Sequence, residues 1–190
     1  MAVDVVLVVI LSYRMINNFS SIIDLIHAIV IGLDVNSDWA RVGVVTYADN
    51  VTYIVALNQS IGQQSNLLEY LNFYAYGGAS NMIAALRTMR QTVFTAANGA
   101  RGAGVARQIA VLVGDGYSTV DAATTVGEAQ SAKSAGIEMH SIVVVDASGD
   151  YDLATMTAIS SDPTRFVYKL QTVSDIGAVS AALLGNICRT

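Results

Sequence analysis

The amino-acid sequence predicts an α/β fold in which a doubly wound, mostly parallel six-stranded sheet is covered by helices on both faces. Residues 5–10 (VVLVVI) are apolar throughout, and a strand with this pattern is buried on both faces, as in parallel sheets. Residues 108–113 (QIAVLV) form a second strand of this kind. Strand and helix patterns alternate along the whole chain, which is typical of doubly wound sheets. The 190 residues suffice for one core, so we expect a single domain over 1–190.

The first half of the chain predicts the opening strand, a hairpin and three helices. Apolar residues recur at helical spacing after the opening strand, and Gly32 suits the end of that helix. The turn 48–50 (ADN) joins two β-rich segments, so we expect a hairpin whose second strand is antiparallel and lies at the sheet edge. The elements predicted here are helix 18–31, strand 40–47, strand 51–57, helix 65–73, a turn at 76–78 and helix 80–96.

The second half predicts three more strands that alternate with helices. The elements predicted here are a Gly- and Ala-rich loop at 98–104, strand 108–113, helix 122–135, strand 137–145, helix 151–159, strand 165–170 and helix 173–187. Together these elements predict a Rossmann-like sheet with the strand order 3-2-1-4-5-6, in which the first and fourth strands are neighbours.

Composition excludes several classes of function. The net charge is −5 and the basic residues are not clustered, which argues against nucleic-acid binding. Hydrophobic residues make up 53% of the chain and charged residues 13%, but no uninterrupted apolar stretch approaches the ~20 residues that span a bilayer. We therefore expect a thick sheet core and no insertion into a membrane.

Cysteine and asparagine residues bear on the compartment. The single cysteine, Cys188, cannot form a disulfide within the chain; pairing outside these boundaries and a free buried thiol on the last helix are the two interpretations. The chain begins without a basic segment followed by an apolar one, so no signal peptide is predicted. Glycosylation sequons begin at Asn18, Asn50 and Asn58, although Asn18 also suits a helix cap, and these three sequons favour a secreted glycoprotein.

Enzyme signatures are missing from the sequence. The glycine-rich segment 99–104 precedes a strand, whereas a dinucleotide fingerprint follows one, and no phosphate-binding loop occurs. His27 and His140 lie within predicted elements without metal-ligand spacing, and no acid–base pair stands out. We therefore expect no catalytic residues; an enzyme or nucleotide-binding protein on the same scaffold is the least favoured alternative.

Three loops carry the residues that remain as candidates. Ser12 and Arg14 follow the opening strand, residues 77–82 (GGASNM) open the long predicted helix, and Asp115 lies in the turn after strand 108–113. In a doubly wound sheet, loops at the carboxyl ends of neighbouring central strands form one crevice. We expect these three loops to converge there.

These segments resemble the von Willebrand factor type A domains of collagen VI, matrilins and integrins. The resemblance covers essentially the whole chain and includes the opening Asp4 strand, residues 41–49 (RVGVVTYAD), the Gly77-Gly78 turn and residues 111–116 (VLVGDG). It implies a metal-ion-dependent adhesion site that is built from Asp-x-Ser-x-Ser, a threonine and a later aspartate. In the family the site holds magnesium, which is completed by a carboxylate of an extracellular partner such as collagen.

The family motif is incomplete in this chain. Its first aspartate falls on Ile10, its two serines on Ser12 and Arg14, its threonine on Ser80 and its later aspartate on Asp115. Ile10 removes an anionic ligand, and Arg14 places a permanent cation where a ligand oxygen is needed. We therefore expect no metal and no other cofactor, and Mg²⁺ is disfavoured. The survivors also have structural interpretations: Ser80 suits an N-cap, Asp115 a turn, and Ser12 a cap or a hydrogen bond within its loop.

The expected function is a non-enzymatic, metal-independent interaction module of an extracellular matrix or cell-adhesion protein. Its expected binding residues are Ser12, Tyr13, Arg14, Ser80 and Asp115, and its expected partner is collagen or another matrix protein. Arg14 has two interpretations: it pairs with Asp115 in an inert site, or it receives a partner's carboxylate. The alternative function is a structural matrix domain that self-associates.

Overall fold

The computed structural model describes residues 1–72, 77–119 and 122–189, and of residues 53, 54, 122 and 123 only the backbone. A six-stranded sheet with the order β3-β2-β1-β4-β5-β6 runs through this described part of the chain. The strands are β1 (Ala2–Ile10), β2 (Ala40–Tyr47), β3 (Val51–Val55), β4 (Ala106–Gly114), β5 (Glu138–Val144) and β6 (Val167–Leu170). The predicted order is confirmed, as is the antiparallel pairing of β3 with β2 at one edge; the other pairs are parallel.

Helices cover the sheet in two groups. They are α1 (Phe19–Gly32), α2 (Gln64–Tyr70), α3 (Met82–Thr88), α4 (Ala122–Ser134), α5 (Leu153–Ile159) and α6 (Ile176–Ile187). The first helix packs beside α2 and α6, whereas α4 packs between α3 and α5. This arrangement confirms the predicted doubly wound fold.

The central strand β1 explains the uniform apolar run of the opening segment. It pairs with β2 on one side and β4 on the other, and both of its faces are covered by helices. Every residue from Val3 to Ile10 is fully buried, including the carboxylate of Asp4, which forms a salt bridge with Arg101. The core of the protein therefore sits on β1, whose carboxyl end opens into the loop that carries Ser12 and Arg14.

The long helix predicted at 80–96 differs in the structure. The α-helical part is α3, followed by a π-helical turn from Met89 to Val93 and a short 3₁₀ turn at 96–98. Asn81 is the N-cap, since its side-chain oxygen accepts from the Ala84 backbone N–H at 3.2 Å, so the predicted capping role of Ser80 is wrong. Ser80 is held outside the helix because both its backbone N–H and its carbonyl bond Thr119.

Several other predicted ends shift by a few residues. A 3₁₀ segment, Tyr13–Asn18, precedes α1, and Asn18 donates to the carbonyl of Val145 instead of capping the helix. The helix predicted at 65–73 ends at Tyr70; its last predicted residue and the first of the 76–78 turn lie outside the described residues. Cys188 is exposed just after α6, so the buried-thiol interpretation is wrong.

Residues Tyr13–Gly32 are long and apolar enough, by length and composition, to cross a membrane. In the structure this stretch is broken into the 3₁₀ segment and α1. One side of α1 is buried in the core through Ile22, Leu25, Ile26, Ile29 and Val30. That pattern is typical of a helix covering a sheet face.

Candidate functional site

Four loops meet at the carboxyl end of the parallel strands, where the sequence predicts three. The loop after β1 contacts the Gly77-Gly78 segment through a backbone hydrogen bond from Tyr13 to Gly78 of 3.4 Å. The loop after β4 contacts the loop after β5, because the Asp152 N–H donates to the Asp115 carbonyl at 2.7 Å. The expected crevice is therefore present, and the loop after β5, which the sequence interpretation does not include, forms one of its walls.

Arg14 and Asp115 form the central contact of this crevice. The Nε of Arg14 donates to Oδ2 of Asp115 across 2.6 Å. The Asp115 side chain is fully buried, whereas 37% of the Arg14 side chain remains exposed. The geometry matches the first interpretation of Arg14, in which its guanidinium pairs with Asp115.

Two further carboxylates surround the same guanidinium. The Nη2 of Arg14 lies 3.1 Å from Oδ2 of Asp146 and 3.4 Å from Oδ2 of Asp150. The guanidinium carbon also lies 4.5 Å from the ring centroid of Tyr117, whose hydroxyl donates to Asp150 at 2.8 Å. Arg14 is thus held by three carboxylates and an aromatic face, all from the loops after β4 and β5.

Asp146 also shapes its own loop. Its Oδ1 accepts from the backbone N–H groups of Ser148 and Asp150 at 2.9 and 2.8 Å, and from the Ser148 hydroxyl at 2.6 Å. These hydrogen bonds, the Ser148 hydroxyl first, lower the pKa of the Asp146 carboxyl. These bonds hold the loop in the conformation that brings both Asp146 and Asp150 to Arg14.

Burial and the ion pair act in opposite directions on the pKa of Asp115. Burial raises the pKa of the Asp115 carboxyl, and the hydrogen bond and charge of Arg14 oppose that rise. The same hydrogen bond raises the pKa of Arg14. Arg14 therefore offsets part of the effect of burial on Asp115.

Three buried hydroxyl groups line the floor of the crevice. Ser12, Tyr47 and Ser80 are at most 1% exposed. The Ser12 hydroxyl oxygen has no hydrogen-bond partner among the described residues, whereas the Tyr47 and Ser80 hydroxyls face each other in a weak contact. Ser12 occupies the N-cap position of the segment Tyr13–Asn18, and its carbonyl accepts from the Met15 N–H at 3.0 Å, but its hydroxyl does not cap the segment. The Tyr47 hydroxyl lies beside Gly114, and burial and the charge of Asp115 raise its pKa.

Ile10 closes the base of the crevice. It is fully buried at the end of β1, and its side chain lies against Gly114 next to Tyr47. Hydrocarbon therefore occupies the position onto which the first aspartate of the family motif falls.

The loop that contains Gly77 and Gly78 is hydrogen-bonded to the turn between β2 and β3. Asp49 accepts from the Ala79 backbone N–H at 2.7 Å, and the Asn81 amide donates to the Asp49 carbonyl at 3.1 Å. Asn81 therefore both caps α3 and ties the turn to the loop.

The rim of the crevice is partly apolar. Tyr13 is 68% exposed, Ile16 on the same 3₁₀ segment is 49% exposed, and Leu153 at the start of α5 is 46% exposed. Of the five predicted binding residues, Tyr13 and Arg14 reach the surface, whereas Ser12, Ser80 and Asp115 lie beneath it.

The donor set offers little to a divalent cation. Within residues 1–72, 77–119 and 122–189, no group of three or more His, Cys, Asp or Glu side chains is arranged to hold a metal ion. Three carboxylates do converge here, but they converge on Arg14. Mg²⁺ requires oxygen ligands in octahedral geometry, and the Arg14 guanidinium occupies the space between the three carboxylates.

Sequence reasoning missed Tyr47, Tyr117, Asp146 and Asp150. The signal for the two aspartates was available, since residues 146–152 (DASGDYD) directly follow a strand whose carboxyl end faces the crevice. The two tyrosines had no such signal, because a tyrosine at the end of a buried strand or in a turn is indistinguishable from a packing residue.

Comparison with known proteins places this geometry in a family. The profile of the von Willebrand factor type A domain matches residues 4–182. The chain is 31% identical to the mouse collagen alpha-4(VI) chain over 175 residues, and 28% identical to the human collagen alpha-6(VI) chain over 172 residues. These matches cover 91% and 90% of this chain but 7% of each relative, so the chain spans a small part of their length.

Solved structures show the same fold. Proximal thread matrix protein 1 from the mussel byssus superposes with a TM-score of 0.84 at 17% identity, covering 97% of this chain and 47% of that protein. The pilus adhesin SpaC from Lactobacillus rhamnosus GG superposes with a TM-score of 0.79, covering 98% of this chain and 30% of the adhesin. On the match over residues 4–182, the chain belongs to the von Willebrand factor type A domain family.

Proposed function

We propose that this domain is a non-enzymatic protein-interaction module of an extracellular matrix or adhesion protein, and that it binds without a metal ion. Its partner is collagen or another matrix protein. The family and the collagen VI relatives support the matrix role. The observation that carries metal independence is the 2.6 Å hydrogen bond from Arg14 to Asp115.

The case against a metal is electrostatic and steric. Ile10 supplies no oxygen, and Asp115, the remaining acidic position of the motif, is engaged by a guanidinium. A divalent ion that bound Asp115 would have to displace Arg14 and leave that permanent cation next to it. The buried hydroxyls of Ser12 and Ser80 are neutral ligands and do not compensate for the missing charge.

A catalytic function finds no support at this site. Asp115 is occupied by Arg14, and His140 is buried in a network with Glu138 and Tyr168 on the lower part of the sheet. No described residue of the crevice therefore pairs a free acid with a free base.

An extracellular location agrees with the collagen VI relatives and with two of the three sequons. Asn50 and Asn58 are exposed, whereas the Asn18 amide donates to the Val145 carbonyl at 2.9 Å. We expect glycans at Asn50 and Asn58. Mass spectrometry of protein secreted from animal cells, with and without peptide N-glycosidase F, tests this assignment.

The test of the proposed function is binding to immobilised collagens and other purified matrix proteins, in magnesium and in EDTA. We expect saturable binding to at least one of them that EDTA does not change. The variant Tyr13→Ser should weaken it, and Val105→Ser, which removes an equally exposed apolar side chain at the opposite end of the sheet, should not. Binding that EDTA abolishes, or no binding to any matrix protein, would overturn the proposal.

A further inference from the structure

We propose that the crevice face recognises a partner segment carrying arginine or lysine side chains, and not a partner's carboxylate. The inference rests on the proposed function, because it specifies the chemistry of the partner at the same face. It reverses the recognition that the family's adhesion site implies, in which the partner supplies an acid to a metal.

This end of the molecule is strongly acidic. The loops at 11–18, 47–50, 77–81, 114–119 and 145–152 carry five carboxylates and one guanidinium, a formal charge of −4 out of −5 for the whole chain. Arg14 is the cation among them. A second carboxylate approaching this end would meet net repulsion, whereas a cation is attracted.

Arg14 is already engaged by carboxylates of the protein itself. Its Nε is bound by Asp115 and its Nη2 by Asp146 and Asp150. One face of the guanidinium lies over Tyr117. A partner's carboxylate would have to compete with three carboxylates of the protein itself, so the bidentate replacement role considered for Arg14 is disfavoured.

The rim of the crevice carries an exposed hydrogen-bond acceptor, Asp150. The Asp150 side chain is 54% exposed, and its Oδ2 is at 3.4 Å from Arg14, the longest of the three contacts. The Tyr117 hydroxyl fixes its other oxygen at 2.8 Å. Asp150 is therefore an oriented carboxylate with room for a second N–H donor from a partner.

The surroundings of Asp150 suit a basic side chain with an apolar stem. Tyr13, Ile16 and Leu153 expose apolar surface on the same loops, and tyrosine is a favoured contact for both apolar stems and cations. Below the rim, the hydroxyl oxygen of Ser12 is buried without a hydrogen-bond partner among the described residues, so the floor of the crevice keeps an unused polar atom. Such combinations of aromatic anchors and oriented polar groups are typical of protein-binding hot spots.

Two matched peptides test the inference. The first is acetyl-GRGFRG-amide, and the second has glutamate in place of each arginine; each is titrated into ¹⁵N-labelled protein and followed by amide chemical shifts. We expect the arginine peptide to shift amides of residues 13–16, 117 and 146–153, and the glutamate peptide to shift none of them. Raising the salt concentration from about 50 to about 500 mM should lower the affinity for the arginine peptide, because salt screens the attraction between the charges.

A pair of variants locates the contact. Asp150→Asn should lower the affinity for the arginine peptide about three- to fivefold, because one exposed ion pair is lost while the shape of the side chain is kept. Asp162→Asn, which neutralises a carboxylate before β6 at the opposite end of the sheet, should leave it unchanged. Tighter binding of the glutamate peptide, shifts confined to another surface, or equal affinity in Asp150→Asn would each overturn the inference.

The outcomes also separate the inference from the proposed function. In one outcome, a matrix protein binds with an affinity that Tyr13→Ser lowers and Asp150→Asn leaves unchanged. That result would support the interaction module and contradict recognition of a basic partner. If the arginine peptide binds at Asp150 but no matrix protein binds, the chemistry of the face stands and the matrix role is wrong.

Discussion

Arg14 and Asp115 lie 101 positions apart in the sequence and are joined by a hydrogen bond of 2.6 Å at the carboxyl end of the sheet. The bond links the loop after β1 to the loop after β4. Asp115 is fully buried and Arg14 remains 37% exposed, so the ion pair extends from the floor of the crevice to its surface.

The first prediction concerns the stability of this pair. Arg14→Met leaves the Asp115 carboxylate buried without its partner, and we expect a loss of about 2 kcal/mol in the free energy of unfolding near pH 7, less than for a fully buried pair because Arg14 is partly exposed. The double variant Arg14→Met/Asp115→Asn removes the charge as well and should recover part of the loss. Urea unfolding of both variants measures it.

The same variant has a predictable pH dependence. Burial already raises the pKa of Asp115, and without Arg14 it rises further. A carboxyl whose pKa is higher in the folded than in the unfolded state contributes stability at low pH, and this is lost as pH rises through the folded pKa. The deficit of Arg14→Met should therefore shrink from about pH 8 to about pH 4. A deficit that grows on acidification would contradict the assignment.

The second prediction concerns metal binding. Calorimetric titration of the wild type with magnesium, manganese and calcium should give no heat, and thermal stability should not change. The double variant Ile10→Asp/Arg14→Ser restores the family's ligand types at both altered positions, and we expect it to bind magnesium with a rise in melting temperature. Wild-type binding that is lost in Asp115→Ala would show that the crevice holds a metal despite Arg14.

The third prediction uses the weakly bonded hydroxyl of Tyr47. Tyr47→Phe removes a buried hydroxyl that loses only a weak contact with Ser80, so we expect stability to change by less than about 0.5 kcal/mol. Tyr168→Phe is the matched control, because the Tyr168 hydroxyl accepts from the Asn186 amide at 2.8 Å. It should destabilise by about 1 kcal/mol, since the amide loses an acceptor. Equal effects of the two substitutions in thermal unfolding would refute the difference in bonding.

The fourth prediction concerns the contribution of Asp146 to stability as the pH falls. Hydrogen bonds from Ser148 and from the Asp150 backbone lower the pKa of Asp146. A carboxyl whose pKa is lower in the folded state contributes stability above the unfolded pKa and loses it as pH falls through the folded pKa. Asp146→Asn should therefore cost about 1 kcal/mol near pH 7 and little near pH 2. Asp24→Asn, at an exposed position on α1, is the control and should be neutral.

Much of the fold was readable in the sequence because it depends on local patterns. The apolar run of β1, the 40–47 strand and the 48–50 turn each carry a signal within a few residues, and β2 has the predicted ends. The errors lie where a distant contact overrides a local preference. Ser80 is a good capping residue, but its backbone is bound by Thr119 and the cap passes to Asn81.

The candidate site was readable only in part. The altered motif positions Ile10 and Arg14 can be identified along the chain, and the topology rule brings their loop to Asp115. Asp146 and Asp150 could be placed at the same edge of the sheet, but not on the same guanidinium. That requires the loop geometry that Ser148 and the backbone impose on Asp146.

Local sequence thus specifies the strands and the apolar residue at position 10, because periodicity and residue type act over short distances, and the topology rule adds the order of the strands. The balance of charge around Arg14 depends on side chains more than 100 positions away, which the sheet brings within hydrogen-bonding distance. Burial then gives each of these groups its electrostatic role. Asp115 needs a cation because it is buried, and Asp150 is open to a partner because it is exposed.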